Sequence, residues 1–217
     1  MKSAPPKPKP SAREPIVGRG AISGKDISKH ERILAAAIEV IAEHGFFQAR
    51  VSEIAERAGV ADGTIYLYFK SKEEILLAAI SNAFESFLDL ARAEVQGTGD
   101  PRRQLRDLAL LHLSSLGSNR SLAIVFQTEL RQSARFLARF SQVELKQYFD
   151  LIRGIVREGQ AMGIFRPELS DKIVANCFFG ALDEMVTSWL LSDHEYPLAG
   201  AAGAVADVIL SGLENLP

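Results

Sequence analysis

The chain is poor in cysteine and has no long apolar run. A single cysteine, Cys177, among 217 residues excludes a disulfide bond within the chain. It lies in the apolar stretch NCFFGAL, where we expect a buried cysteine and not a redox sensor. No stretch reaches the roughly 18 apolar residues that a membrane-spanning helix needs, and the N-terminus has no apolar signal-peptide core. We therefore expect a cytoplasmic protein that does not enter a membrane.

Sequence signatures of metal binding and catalysis are also missing. The four histidines have no spacing typical of metal ligands: His30, His44, His112 and His194. The glycines within residues 18–24 follow no predicted strand, which argues against a phosphate-binding loop, and no nucleophile motif is found. We expect no enzyme, no metal and no cofactor. A helical enzyme or ligand carrier without DNA binding stays as the alternative class.

The first 25 residues differ in composition from the rest. Residues 1–25 are rich in proline and glycine and contain six basic residues against Glu14 alone. This composition predicts a disordered basic arm. Two interpretations stay open: an inert solvated tail, and an arm that contacts nucleic-acid phosphates.

Apolar periodicity predicts four helices after the arm. The first covers about residues 27–44 and ends at Gly45. The second, VSEIAERA, has only two turns and stops at Gly59, the expected left-handed position. Asp62 is a good N-cap for a third short helix through about Tyr68, and Ser71 for a fourth.

Two short helices joined by a glycine-containing turn are typical of a helix-turn-helix unit. Helices of two turns are marginal alone, so packing must hold them together. The predicted core of this unit is Ile54, Ala55, Val60, Ile65 and Phe69. In such a unit the second helix of the pair enters the DNA major groove. We assign residues 26–77 to a DNA-binding domain.

The stretch IAERAGVADGTIYLYFKSKEEIL, residues 54–76, resembles the DNA-binding segment of the TetR family of bacterial regulators. It combines I-A, A-G-V, G-T-[IL]-Y, Y-F and K-x-E-[EI]-L at fixed spacings. The resemblance implies an all-α homodimer that binds a double-stranded DNA operator. It also implies a larger C-terminal domain for effector binding and dimerisation, here residues 78–217.

The resemblance also implies residue roles in DNA binding. Base-facing residues would be Ala61, Asp62, Gly63, Thr64 and Leu67. Phosphate-binding residues would be Tyr66, Tyr68 and Lys72. Arg50 and Ser52, at the start of the second helix, complete the predicted set.

Two positions depart from the family pattern. Position 50 often holds Thr or Ser and position 62 often Lys, whereas this chain has Arg50 and Asp62. A carboxylate in the groove could accept only from base amino groups such as cytosine N4, so we favour helix capping for Asp62. Arg50 either contacts phosphate or is a free surface arginine.

Beyond residue 77 the sequence predicts helices only, and hence an all-α protein. The predicted helices cover about residues 72–96, 101–116, 120–132, 136–162, 170–191 and 197–214. Asp100 and Pro101 are expected at the N-cap and the first position of the second of these. Apolar helices with many small residues, 171–191 and 198–213, predict a four-helix dimer interface, unless they pack only within their own subunit.

Two C-terminal segments, residues 121–133 and 180–198, look like those of one TetR subgroup, the fatty acid degradation regulators that respond to long-chain acyl-CoA. The resemblance implies a repressor released from its operator by that effector. The alternative is a TetR-type repressor that responds to another hydrophobic molecule.

A fatty acyl chain needs a long apolar slot between helices. The candidate lining residues, most of which also suit an ordinary core, are Phe84, Phe87, Leu88, Leu108, Phe126, Phe149, Phe178, Phe179 and Trp189. The phosphates of coenzyme A need cations, for which we assign Arg131 or Arg135 from a first cluster, Arg131, Arg135 and Arg139, whose members recur every four residues. A second cluster, Arg102, Arg103 and Arg106, could also bind phosphate. In both clusters the alternative is arginines paired with surface acids.

Overall fold

A computed structural model of the chain describes residues 28–129, 134–194 and 196–214, without the side chains of residues 134–142. The predicted arm, residues 1–25, lies outside these ranges. In the described ranges the fold is all-α, as predicted, with nine α-helices and one 3₁₀ helix at Leu198–Ala201. The α-helices are α1 (Lys29–Gln48), α2 (Val51–Ala58), α3 (Asp62–Tyr68), α4 (Lys72–Gln96), α5 (Pro101–Gly117), α6 (Arg120–Gln127), α7 (Ala134–Ala161), α8 (Asp171–Leu191) and α9 (Ala202–Leu213).

The first helix begins and ends where local chemistry dictates. The hydroxyl of Ser28 accepts from the Glu31 amide, and the Glu31 carboxylate accepts from the Ser28 amide, which satisfies two helix-terminal donors. Gly45 has φ 74°, so the regular helix ends there and one further turn reaches Gln48.

The turn between α2 and α3 confirms one prediction and corrects another. Gly59 is left-handed, with φ 64°. The prediction that Asp62 caps α3 is wrong, because the residue in extended conformation before the helix is Ala61, with φ −72° and ψ 147°. Asp62 is inside the first turn and makes no capping hydrogen bond. Its carboxylate there still interacts favourably with the helix dipole.

The helix-turn-helix unit is held by the core that the periodicity predicts. Ile54, Ala55, Ile65 and Phe69 are buried, and Val60 packs against them half-buried. Helix α4 starts with the predicted Ser71 cap, whose hydroxyl accepts from the Glu74 amide. The helix continues to Gln96, so no linker occurs at the boundary predicted near residue 77.

In the second half, α5 is the central helix and packs against α4, α7, α8 and α9. It starts as predicted, with the Asp100 carboxylate accepting from the Arg102 amide and Pro101 at the first position. The predicted helix 120–132 is interrupted, because α6 ends at Gln127 and Thr128 forms a turn; residues 130–132 lie outside the described ranges. The predicted helix 197–214 divides into the 3₁₀ helix and α9.

Cys177 is exposed, so the prediction of a buried cysteine is wrong. The buried face of α8 contains Val174, Phe178 and Leu182. Cys177 projects about 100° away from Phe178 around the helix, on the side that α5, α6 and α7 do not cover. Among the described residues, none of the helices is both long and apolar enough to cross a membrane.

Candidate DNA-binding face and effector site

Helix α3 exposes the side expected to read DNA. Ile65 is fully buried and fixes the helix on its domain, whereas Tyr66 is 61 % exposed, Leu67 82 % and Tyr68 45 %. Other predicted base-facing residues lie on the same open side: Ala61, Asp62 and Gly63 are exposed, and Thr64 is half-buried. The predicted set thus forms one accessible surface, although base and phosphate roles stay predictions.

Helix α2 presents Arg50 and Ser52 beside this surface, and both are exposed. The Glu53 carboxylate accepts from the Arg50 backbone amide at 3.0 Å, which fixes the first turn of α2 and leaves the Arg50 guanidinium on the surface. Arg57 ties α2 to α1 through hydrogen bonds to Glu43 at 2.8 and 2.9 Å. Because the guanidinium favours the ionised carboxyl, it holds the pKa of Glu43 below its ordinary value.

Lys72 has a structural role that the sequence did not reveal. Its Nζ donates to the backbone oxygens of Phe47 at 3.1 Å and Ala49 at 2.7 Å. The same ammonium lies 4.8 Å from the centre of the Phe46 ring, a cation–π contact. Two of its three donors therefore join the start of α4 to the α1–α2 connection. A phosphate contact could use only the third.

Two further residues on this face escaped sequence reasoning. The His30 ring stacks on Phe69 at 5.2 Å and meets the edge of Tyr68 at 5.8 Å between ring centres. His30 therefore orients Tyr68, a predicted phosphate ligand. Phe47 is 85 % exposed next to the Lys72 contact. The sequence signal for Phe47 is its place in the Phe46–Phe47 pair directly after Gly45.

Aromatic side chains from α4 to α8 meet in the centre of the second domain. This aromatic cluster consists of Phe84, Phe87, His112, Phe126, Tyr148, Phe149 and Phe179. The ring of Tyr148 lies 5.1 Å from that of Phe87 and 6.2 Å from that of Phe84. Phe149 lies 5.2 Å from Phe179, and Phe126 lies 6.2 Å from Phe84. Five of the predicted slot residues are thus brought together.

Several cluster members keep accessible surface although their rings contact one another. Phe87, Phe126, Phe149 and Phe179 are half-buried, whereas Tyr148 is completely buried. Rings that contact one another yet stay partly accessible are what an apolar cavity wall requires. The cluster therefore has the composition of a site for an apolar ligand.

A polar pair lies inside this cluster. His112 Nδ1 and Tyr148 Oη are 3.0 Å apart and hydrogen-bonded. Burial lowers the pKa of His112 to about 4, against an opposing effect of Asp183, so the imidazole is neutral at pH 7. Burial also raises the pKa of Tyr148. The sequence predicted neither residue, because a histidine and a tyrosine 36 positions apart on two helices carry no local signal that they pair.

The remaining predicted ligand residues lie elsewhere. Leu88, Leu108 and Phe178 are buried in the core. Trp189 lies ten residues beyond Phe179 on α8, where its indole N–H donates to the Tyr196 carbonyl at 3.0 Å. Arg131 lies outside the described residues, and so does the side chain of Arg135.

Trp189 borders a surface cleft of about 570 Å³ whose other lining residues are Arg120, Ser192, Asp193, His194, Tyr196 and Pro197. The guanidinium of Arg120 lies 5.0 Å from the Trp189 ring centre. The second arginine cluster forms surface ion pairs, Arg102 with Glu214, Arg103 with Asp107 and Arg106 with Asp207. For these three arginines the alternative, surface pairing with acids, is the one observed.

The N-terminal helix-turn-helix unit has a buried core and an exposed helix α3. Helix α4 joins it to a helical domain with an apolar centre. This combination defines a ligand-responsive DNA-binding regulator. Residues 33–79 match the family described as "Bacterial regulatory proteins, tetR family". Residues 80–212 match "YsiA-like protein, C-terminal region". The chain belongs to the TetR family of bacterial regulatory proteins, and it is a transcriptional regulator and not an enzyme.

Similar proteins support this assignment along most of the chain. The fatty acid metabolism regulator protein of Bacillus subtilis is 38 % identical over 86 % of this chain and 96 % of its own length. The solved structure of the fatty acid degradation regulator FadR from Bacillus halodurans has 40 % identity and a TM-score of 0.80, covering 85 % of this chain and all of that one. FadR from Bacillus subtilis, solved in complex with stearoyl-CoA, has 38 % identity and a TM-score of 0.79, covering 83 % and 97 %. The expected likeness to fatty acid degradation regulators is confirmed.

Proposed function

We propose that this protein represses fatty acid degradation genes and leaves its operator when it binds long-chain acyl-CoA. The observation that carries the proposal is the aromatic cluster, an apolar site built partly on α4, the helix that also completes the DNA-binding domain. The similar Bacillus subtilis regulator in complex with stearoyl-CoA supports the same ligand class.

Helix α4 connects the two sites mechanically. Lys72, in its first turn, binds the α1–α2 connection, and Phe84, 12 residues later, belongs to the aromatic cluster. The two positions are about 18 Å apart along one helix. A second connection is α6, which carries Phe126 and packs against α1. A ligand that moves either helix changes the position of α3, provided that it binds the two conformations with different affinity.

The required affinity difference favours a long chain. Reversing operator occupancy from about 99:1 to about 1:99 needs roughly 5.5 kcal/mol of differential binding. Each buried methylene contributes about 0.8 kcal/mol, so roughly seven methylenes are enough when the site exists in one conformation only. A short-chain thioester lacks them. For the phosphates of coenzyme A we keep Arg131 and Arg135 as the proposed ligands.

We propose a homodimer formed by α8 and α9. Three large apolar residues on these helices are strongly exposed: Ile173 at 64 %, Leu191 at 79 % and Val208 at 74 %. Exposed apolar surface on two neighbouring helices supports association with a second copy of the chain. Two reading helices about one DNA turn apart, 34–36 Å, would then fit a palindromic operator.

A gel-shift experiment tests this function. Labelled DNA from upstream of fatty acid degradation genes is titrated with the protein, with and without hexadecanoyl-CoA. We expect a specific protein–DNA complex that dissociates when hexadecanoyl-CoA is added. A complex that ignores acyl-CoA would favour a repressor for another hydrophobic molecule, and absence of any specific complex would favour a ligand carrier. A chromosome-binding repressor acts in the cytoplasm, which is the location we propose.

A further inference from the structure

We propose that the buried His112–Tyr148 pair binds the thioester carbonyl of the acyl-CoA effector, with His112 as the donor and Tyr148 as the residue that orients it. The inference rests on the proposed function and adds a specificity-determining residue to it. The pair joins α5 to α7, in contact with Phe87 and Phe179.

The pair has one hydrogen-bond donor more than it uses. A neutral imidazole carries one N–H and a phenol one O–H. If the Tyr148 hydroxyl donates to His112 Nδ1, the Nε2–H of His112 is left over. If Nδ1–H donates to the hydroxyl, the O–H of Tyr148 is left over. In both tautomers one donor of the pair is left over, because within the described part of the chain the side chains of His112 and Tyr148 form no hydrogen bond other than the one that joins them.

Burial identifies His112 as the residue that meets the ligand. Tyr148 has no accessible surface, whereas His112 keeps 7 %. The remaining donor is therefore best placed on Nε2, with the Tyr148 hydroxyl donating to Nδ1 and fixing the ring. A donor that has no partner within the protein gains a hydrogen bond when a ligand supplies an acceptor.

The acyl group of the effector carries one acceptor. An acyl chain is apolar along its whole length, and its first polar atom is the thioester carbonyl oxygen. That oxygen accepts but cannot donate, which matches the free donor of a neutral histidine. The aromatic rings around the pair suit the adjoining methylenes. An alkyl chain without the carbonyl would contact the same rings but leave the donor without an acceptor.

The test compares two ligands that differ only in the carbonyl oxygen: hexadecanoyl-CoA and the thioether S-hexadecyl-CoA. Calorimetry on the wild-type protein should show the thioester binding up to about tenfold tighter, the effect of one net hydrogen bond. In His112→Phe the thioester should lose that advantage, while thioether affinity changes less than about twofold. Tyr148→Phe should lose part of the advantage, because the imidazole is no longer fixed.

The control is Tyr196→Phe, the same loss of a hydroxyl at a tyrosine outside the aromatic cluster, which should keep the full preference. Equal affinity of the two ligands in the wild type would overturn the proposal without any variant. An equal loss for both ligands in the two variants would assign the pair a purely structural role and overturn it as well. If neither ligand binds the wild type, the proposed function itself fails, which is a distinct result.

Discussion

Lys72→Met should destabilise the protein, because Lys72 joins α4 to the α1–α2 connection. The substitution keeps most of the apolar side chain and removes the ammonium that donates to the carbonyls of Phe47 and Ala49. Each bond contributes about 1 kcal/mol net. We therefore expect the free energy of unfolding to fall by about 2 kcal/mol.

The assay is urea unfolding followed by circular dichroism at one fixed protein concentration. With a slope of about 2–3 kcal/mol per molar urea, the midpoint should fall by roughly 0.7–1 M. Lys70→Met is the matched control: Lys70 is exposed, and only its backbone amide is held, by Glu74 at 2.7 Å. An unchanged midpoint for Lys72→Met, or an equal shift for Lys70→Met, would refute the anchoring role.

Measuring operator binding by the folded protein tests whether Lys72 also binds a DNA phosphate. If its third donor also binds phosphate, the slope of log affinity against log salt should decrease by about one unit for each half-site. An unchanged slope together with lower stability would restrict Lys72 to anchoring.

Four further outcomes are expected. Tyr68→Phe should weaken operator binding in fluorescence anisotropy without changing the circular dichroism, because its hydroxyl would bind phosphate; unchanged affinity removes it from the interface. Ala204→Glu places a charge on the exposed side of α9, so it should abolish the dimer and DNA binding together; a wild-type protein that sediments as a monomer would contradict this. Operator release should become more efficient with acyl chain length, and Arg131→Ala should reduce that response while DNA binding stays intact; equal potency of short and long chains would exclude the slot. The pKa of His112 is lowered from 6.5 to about 4 in the folded protein. As the pH falls from 6.5 towards 4, the unfolded chain takes up a proton at His112 before the folded protein does, so the free energy of unfolding should decrease over this range. His112→Phe should therefore lose less stability than the wild type across that pH range in urea unfolding, and identical pH profiles would contradict the shift.

Local signals in the sequence predicted most helix starts, because they depend on neighbouring residues alone. Ser71 and Asp100 cap helices with their own side chains, and Gly59 adopts a backbone conformation that few other residues tolerate. The predicted N-cap Asp62 is off by one residue, because α3 begins at Asp62 and Ala61 precedes it. Periodicity also gave the correct core around Ile65.

Contacts distant in sequence could not be predicted in the same way. Lys72 binds carbonyls 23 and 25 positions away, and His112 meets Tyr148 36 positions away on another helix. Periodicity identifies the buried face of a helix but not the helix that covers it. In α8, which is apolar on nearly all sides, it did not identify even the face, so Cys177 was placed in the core.

The exposure of Cys177 gives the protein a built-in chemical probe. It is the single thiol of the chain and lies on the uncovered side of α8, where we propose that a second copy docks. Its reaction with a coloured disulfide reagent would be fast in dilute solution and slower as the chains associate. The concentration at which the rate falls by half would then measure the dissociation constant of the dimer without any substitution. A nitroxide attached at the same sulfur would report the separation of the two α8 helices when operator or acyl-CoA is added.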